Sequence, residues 1–428
     1  MVSANYPKTL LFYRAGWRLL RIAVPLFLHL RLWRGKEEKK RLPERVGRAY
    51  QKRPKGKLLW IHAASVGEYL STLPLLKSLT EQTQAPHILL TTGTVTSARL
   101  AQQRNPAGVI HHYICLDAPR YVARFLDHWR PNVSLWMESE LWPTMLMETR
   151  KRHIPMLLIN ARMSSRSQAN WRRAKKTLRY LLACFDGCFP QNESHVQTFH
   201  LMGARSVRFI GNLKDAAEPL PCSAKELATW QQILKGRPIW IAASTHPGED
   251  LWIKKTHSTL QKTYPNLVTL HVPRHASRGR AIAQALRDDH CLPICRSDYP
   301  YPPQDEGALF YIADTIGELG LFYRLACVAF IGGSLIQHGG QNPLEAARLD
   351  CAIITGPHHD NFQRTYHALN KHGAAQIIRT AEALPKAVLS LLQNKSKRTT
   401  MARNAQRYSQ QDSQHIVGAY RASILPWL

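Results

Sequence analysis

At 428 residues the chain is long for one domain and comfortable for two of about 200. Hydrophobic residues make up 44%, enough for true cores, and neither tandem repeats nor low-complexity tracts are evident. The 58 Lys and Arg against 29 Asp and Glu give a net charge of +29, a field that calls for a polyanionic partner, either nucleic acid or an anionic membrane.

The basic excess is uneven. Residues 1–57 hold 16 Lys/Arg and 3 acids, and residues 150–179 hold ten Lys/Arg and no acid. A single run of this kind is ordinarily a solvated face. Two dense runs beside an apolar N-terminus point to a membrane surface. The stretch LLFYRAGWRLLRIAVPLFLHLRLW (10–33) reaches the ~20 residues that cross a bilayer. Arg14, Arg18 and Arg21 interrupt it at helical spacing and could snorkel from one face to headgroups. A cleavable signal peptide does not fit, because no apolar core ends at a small-residue site. The expectation is an anchor helix over 1–35 that lies in, or marginally spans, a membrane. Lys36, Lys39, Lys40 and Arg41 follow it and keep the globular part in the cytoplasm by the positive-inside rule.

From residue 57 short apolar strands alternate with helical stretches. KLLWIHA (57–63) precedes a helix near 68–80. HILLTT (87–92), VIHHYICL (109–116), VSLWME (133–138) and PMLLIN (155–160) follow, the last before a long basic helix near 165–183. This βα alternation predicts a doubly wound parallel sheet. DAAEPLPCSAKEL (215–227) reads as a linker. RPIWIAAS (237–244), NLVTLHVP (266–273), ALFYIAD (308–314), CVAFIGG (327–333) and CAIITG (351–356) then supply a second series of strands, with a loop at 299–307. Two α/β domains follow, over 36–218 and 219–428, with a cleft between them. The last helical stretch, 396–428, is able to cross back to the first domain. Ligands are expected at the carboxyl ends of the strands.

The eight cysteines read as reduced thiols packed as small core residues. Cys184/Cys188 and Cys291/Cys295 share a C-x3-C spacing but have no matching His/Cys pair, so no metal site is expected.

Glu68 stands where the strand 57–63 ends and a helix begins, with Ala63, Ala64, Ser65 and Gly67 leaving room beside it. The helix N-terminus should favour its carboxylate form, which could take a proton from an attacking hydroxyl. An acid at that place also serves simply as an N-terminal helix residue. Glu138 and Glu140 occupy the same address two strands later, and that repetition weakens the plain reading. In the second domain Ser244, Thr245, His246 and Glu249 (AASTHPGE, 242–249) sit at a strand exit. IGGSLIQHGGQNPLEAA (331–347) has two Gly pairs before a helix starting near Pro343. A helix N-terminus after such a loop suits phosphate, and Glu345 there suits sugar hydroxyls. Arg274 in HVPRH (271–275) is a candidate phosphate clamp. No P-loop motif is present.

Together HAASVGE (62–68), ESELWP (138–143), GNLK (211–214), STHPGE (244–249), PRH (273–275), DTIGELG (314–320) and GGSL…GGQNPLEAA (332–347) resemble the 3-deoxy-D-manno-octulosonic acid (Kdo) transferases of lipopolysaccharide assembly. The resemblance runs from the N-terminal anchor to roughly residue 375. It implies a GT-B fold of two Rossmann-like domains facing across a cleft, and transfer of Kdo from CMP-Kdo to the lipid A precursor at the cytoplasmic face of the inner membrane. It implies that Glu68 is the general base and that Glu138 and Lys214 assist the transition state. It further implies that Pro273, Arg274, the loop Ile316, Gly317, Glu318, and the motif with Asn342, Leu344 and Glu345 hold CMP. Ser65, Gly67, Glu140, Ser244, Thr245, His246 and Glu249 are candidate donor or acceptor contacts. The expected partners are CMP-Kdo, the lipid A precursor and an anionic membrane, with no nucleic acid; the expected reaction is an inverting displacement without metal or cofactor. Asp215 and Ala216 replace the family's usual Phe-Asp, and Gln341 replaces a common His. Two alternatives remain from the residues: a GT-B enzyme using a nucleotide-diphosphate sugar, and a non-catalytic basic protein that binds RNA.

Overall fold

A computed structural model describes residues 6–20, 22–287, 291–303 and 307–428, without the side chains of 165 and 166. The chain divides into two compact units, Met1–Glu218 with Ser413–Leu428, and Pro219–Asp412.

In the first unit, strands β1 (Leu58–His62), β2 (His87–Thr92), β3 (Val109–Tyr113), β4 (Val133–Met137), β5 (Met156–Ala161) and β6 (Gly187–Pro190) form one sheet. Their order is β3-β2-β1-β4-β5-β6 and every pair is parallel. The apolar runs are near-continuous because helices cover both faces. In β1, Leu58 and Trp60 enter one core layer while Leu59 and Ile61 enter the other. Each such buried side chain contributes about 1.5–3 kcal/mol. The strand order reverses between β1 and β4, so a crevice opens beyond their carboxyl ends.

The second unit holds β7 (Ile239–Thr245), β8 (Val268–Pro273), β9 (Ile294–Cys295), β10 (Leu309–Ile312), β11 (Val328–Ile331), β12 (Ala352–Thr355) and β13 (Ala375–Ile377). They run in the order β13-β12-β11-β7-β8-β10-β9, again all parallel. Here too successive residues alternate between layers: Ile241 and Ala243 on one side of β7, Trp240 and Ala242 on the other. The helix Lys395–Ile424 belongs to both cores. Ala405 packs in the second unit, and Ile416, Val417, Tyr420 and Ile424 pack in the first.

Several expected elements differ. The basic stretch near 165–183 is two helices, Ser165–Arg172 and Lys175–Leu182, since nothing in Ala174 caps a continuous turn and Trp171 closes the first by accepting the Ala174 N–H. The linker is shorter than 215–227, because Leu213–Ala216 forms a 3-10 turn and Ser223 caps a helix at Ala224–Ile233. The segment expected to be one anchor helix is also two helices, Lys8–Leu20 and Val24–Trp33. Pro25 lacks an N–H and sits in the first turn of the second, where no donor is required. Among the described residues no helix is long and apolar enough to cross a membrane. Leu10, Val24 and Leu28 are buried in the first unit's core. Phe12, Leu19, Ile22, Leu26 and Trp33 remain exposed. Arg14 is not free to snorkel: it pairs with Glu148 at 2.7 Å. Arg21 lies outside the described residues, as do 304–306 of the expected loop.

Candidate active site

In the first unit, Ser65 caps the helix Val66–Thr80, which starts four residues after β1 ends. Glu68, at the third helical position, folds back onto this cap. Its Oε1 accepts the Ser65 hydroxyl at 2.9 Å and its Oε2 accepts the Ala64 N–H at 2.8 Å, while Ser65 Oγ accepts the Glu68 N–H at 3.3 Å. The side chain is buried, but Ser65 and Gly67 beside it are exposed and a Cβ at Gly67 would meet open space. The expected stabilisation of the carboxylate by the helix end does not prevail. Burial first, and the Glu140 charge second, push the Glu68 carboxyl above its ordinary value.

Glu140 behaves oppositely. Burial opposes its ionisation, yet His62 and the Trp142 indole hold it below the usual carboxylate range. Trp142 Nε1 donates to Glu140 Oε2 at 2.5 Å, and His62 Nε2 stands 3.8 Å from the same oxygen. His62 is fully buried and was not among the expected site residues. Its only signal in the sequence is its place as the first residue of HAASVGE, at the end of β1. The Thr91 hydroxyl at 2.9 Å from Nδ1 fixes its ring.

Glu138 follows β4 in the left-handed region, φ 53°, and its N–H donates to the Ile159 carbonyl at 3.0 Å. Its carboxylate meets the Lys214 ammonium at 2.6 Å. The departure at Asp215 and Ala216 therefore leaves that pair intact. Thus the crevice at β1 and β4 gathers Glu68, Glu138, Glu140, His62 and Lys214.

In the second unit the loops after β7, β8 and β11 converge. Glu249, a candidate donor or acceptor contact, is fully buried. It accepts the N–H groups of His246 (2.9 Å), Gly333 (2.7 Å), Ser334 (3.0 Å) and Leu335 (3.0 Å). One carboxylate thereby staples the loop after β11 to the loop after β7. Gly332 permits the approach, since a Cβ there would lie 2.7 Å from Thr245 Cα. Thr245 is likewise buried, bonded through Oγ1 to His271 Nε2 at 2.7 Å. Ser244 adopts φ 57° at the strand exit.

His246 stacks on His338 with ring centroids 3.7 Å apart, and its Nε2 lies 3.1 Å from Gln341 Nε2. Burial, then His338, His275, Arg274 and Arg278, lower its pKa to about 4. It is therefore neutral near pH 7 among cations. Arg274 is exposed, and its N–H donates to the Thr245 carbonyl at 3.0 Å. Pro273 and Leu344 are buried. The helix after Pro343 spans only Leu344–Ala347. Four residues sum too few peptide dipoles to serve as the expected phosphate site. Asn342 Oδ1 caps it by accepting the Leu344 N–H at 3.0 Å. Burial raises the Glu345 carboxyl above its ordinary value. Ile316 and Gly317 are exposed, and Arg296 and Thr315 grip Glu318, holding it ionised against its burial. His338, Arg278 and Arg296 were not singled out from the sequence.

Residues 40–217 match the family model described as 3-deoxy-D-manno-octulosonic-acid transferase (kdotransferase). The chain is 36% identical over 395 residues to the 3-deoxy-D-manno-octulosonic acid transferase of Haemophilus influenzae, covering 89% of this chain and 90% of that one. It is 34% identical to a probable mitochondrial 3-deoxy-D-manno-octulosonic acid transferase of Arabidopsis thaliana, covering 88% of each. Among solved structures it is similar to Anabaena HepE in complex with UDP, with a TM-score of 0.56 at 12% identity over 87% of this chain and 100% of that one. It is also similar to the UDP-GlcNAc 2-epimerase of Neisseria meningitidis, with a TM-score of 0.55 at 13% identity over 86% and 100%. At such identity these structures speak to the fold alone: an α/β fold with parallel sheets, similar to GT-B glycosyltransferases.

Proposed function

The chain belongs to the 3-deoxy-D-manno-octulosonic acid (Kdo) transferase family and is a glycosyltransferase; on that footing we propose that it transfers Kdo from CMP-Kdo to a sugar hydroxyl of the lipid A precursor (lipid IVA), with Glu68 as general base. The observation that carries this reading is the opposite displacement of two neighbouring carboxyls. Glu68 is raised and Glu140 lowered. A base whose pKa lies nearer the working pH transfers protons more effectively. Separation of two carboxyls in this way marks which one takes up the proton during the reaction and which stays ionised.

The acceptor hydroxyl docks beside Glu68, at the face left open by Ser65 and Gly67. Glu68 takes its proton as the oxygen attacks the anomeric carbon of Kdo, opposite the departing CMP. The configuration at that carbon inverts. CMP leaves as a phosphate monoester anion, which needs charge stabilisation more than protonation. Arg274 of the second unit is a cation for it, and the exposed Ile316-Gly317 turn of that unit receives the nucleotide; Lys214 of the first unit, paired with Glu138, assists the transition state. His246 stays neutral and donates or accepts at the same loop. Glu140, held ionised by His62 and Trp142, raises the proton affinity of the Glu68 carboxylate and so strengthens it as a base.

The exposed apolar side of the helices Lys8–Leu20 and Val24–Trp33 supports attachment to the inner membrane at its cytoplasmic face. The exposed cations Arg162, Arg172, Arg173, Lys175, Lys176 and Arg179 support an anionic surface as partner. Each contributes about 1 kcal/mol near such lipids. Arg166 of the same run has a side chain outside the described set.

Mass spectrometry of lipid A precursor incubated with CMP-Kdo tests the reaction. Glu68→Gln is the discriminating variant, since Gln retains an acceptor for the helix cap while losing the base. Kdo addition by the wild type and its loss in Glu68→Gln are expected. Turnover at the wild-type rate in Glu68→Gln would overturn the assignment of the base, and absence of Kdo addition by the wild type would overturn the donor and acceptor.

A further inference from the structure

Lys214 sits in the 3-10 turn Leu213–Ala216, and that turn is held from outside by the end of the chain. The Leu213 N–H donates to Asn160 Oδ1 at 3.0 Å, and the Lys214 N–H donates to Asn212 Oδ1 at 3.0 Å. Asn160 is fully buried and left-handed, φ 52°, one residue beyond the Ile159 carbonyl that receives the Glu138 N–H. A left-handed residue thus stands near the carboxyl end of each strand, Glu138 just after β4 and Asn160 next to last in β5, and Glu138 carries the carboxylate that Lys214 meets.

Tyr420, fully buried on the helix Lys395–Ile424, ties these parts together. Its hydroxyl donates to the Gly211 carbonyl at 3.1 Å and accepts the Asn160 N–H at 3.3 Å. Its ring packs edge-on against Phe189 with centroids 6.0 Å apart. The same helix touches both ends of the Lys214 loop. A Cβ at Gly211, φ 118°, would lie 2.6 Å from Ile416 Cγ1, and Ser413 Oγ donates to the Ala216 carbonyl at 3.3 Å.

We propose that Tyr420 and Asn160 are positioning residues for the transfer reaction: the Tyr420 hydroxyl, bridging Asn160 and Gly211, sets the Lys214 ammonium at ion-pair distance from Glu138. The proposal rests on the reading that Lys214 serves the transfer. Neither residue touches the reacting atoms. Their effect runs through the backbone of residues 211–214, which they hold at the Gly211 carbonyl and the Leu213 N–H. Displacing that segment would strip the Tyr420 hydroxyl and Asn160 Oδ1 of buried partners, which disfavours other geometries. A displacement of about 1 Å at a reacting group costs on the order of 100-fold in rate.

The experiment compares the full chain as wild type, Tyr420→Phe, Lys214→Met and the double variant, reading kcat and KM for CMP-Kdo. Tyr420→Phe is expected to lower kcat by about 10- to 100-fold with KM within about twofold. In the Lys214→Met background the same change is expected to cost nothing further, because the group it positions is gone. Wild-type kcat in Tyr420→Phe, or an undiminished loss in the Lys214→Met background, would overturn the positioning role. Wild-type kcat in Lys214→Met would overturn the reading of Lys214 on which the proposal stands, and is recognisable by itself. Should Tyr420→Phe not fold, Asn160→Gly keeps the left-handed backbone and Tyr420 while removing the Leu213 acceptor. It is expected to show the same kcat loss, abolished in the Lys214→Met background, and an undiminished loss there overturns the proposal equally.

Discussion

The Lys214 ammonium meets the Glu138 carboxylate at 2.6 Å, with side chains 33% and 20% exposed. Partial exposure screens the pair, so its contribution to stability is about 0–1 kcal/mol. Its placement at the carboxyl end of β4 is the more consequential property. Lys214→Met and Glu138→Gln are expected to leave the denaturation midpoint nearly unchanged while lowering kcat about 100-fold. Denaturant unfolding and steady-state kinetics on the same samples check the contrast. A large loss of stability with intact turnover would contradict it.

Glu68 and Glu140 predict a pH dependence with a definite sign. Glu68 acts as carboxylate, so kcat/KM rises with pH through its folded pKa. Burial and Glu140 raise that pKa, which places the acidic limb above the ordinary glutamate range of about 4.3. Glu140→Gln removes the neighbouring charge and is expected to move the limb to lower pH. The stability linkage runs the other way. A raised carboxyl keeps more protons bound in the folded state than in the unfolded one, so its contribution is full below the unfolded pKa and falls as pH rises through the folded pKa. Glu68→Gln is therefore expected to flatten the unfolding free energy over that window. A limb that Glu140→Gln leaves in place would refute the electrostatic coupling.

Glu249 predicts a structural penalty. Its two oxygens satisfy four backbone N–H groups from the loops after β7 and β11. Glu249→Gln turns an NH2 group toward donors and removes the charge. A loss of about 3–5 kcal/mol is expected, as for breaking a buried charged network. Urea titration of the variant reads it directly. Weaker CMP binding should accompany it, measured by calorimetry, because His246 is held by the same carboxylate.

The N-terminal helices predict a separable surface function. Phe12, Leu19 and Trp33 are each more than 70% exposed, at 75%, 77% and 83%. Replacing them with Asp should alter stability by no more than about 0.5 kcal/mol each. Sedimentation with anionic vesicles should nevertheless fall sharply. Reversal of Arg172, Lys175 and Lys176 is expected to weaken the same partitioning and to make the remainder less sensitive to salt. Undiminished vesicle binding in both sets would remove the helices and the basic run from the membrane contact.

Much of this molecule was readable locally. The strands were visible because a parallel sheet covered on both faces needs unbroken apolar runs such as HILLTT and MLLIN. The helix start at Pro343 was visible because proline chemistry acts within one turn, whereas the cap at Ser65, which starts its helix at Val66, was not read from the residues. The site addresses followed, since chemistry at parallel sheets collects where strands end, and Glu68, Glu138 and Arg274 do stand there. What neighbours each of them was not readable. Glu249 and Ser244 share one motif, yet one is buried against the loop after β11 while the other marks a strand exit. Arg14 looked available to headgroups until the first helix met Glu148. His62 acquired its partner Glu140 only when β1 and β4 became neighbours. The grip of Tyr420 on Asn160 and Gly211 joins segments far apart in the chain. Periodicity and capping are short-range properties of the backbone, so residue type and spacing encode them directly. Burial, ion pairing and pKa displacement depend on which distant side chains share a dry environment, and only the packed sheets and the returning helix decide that.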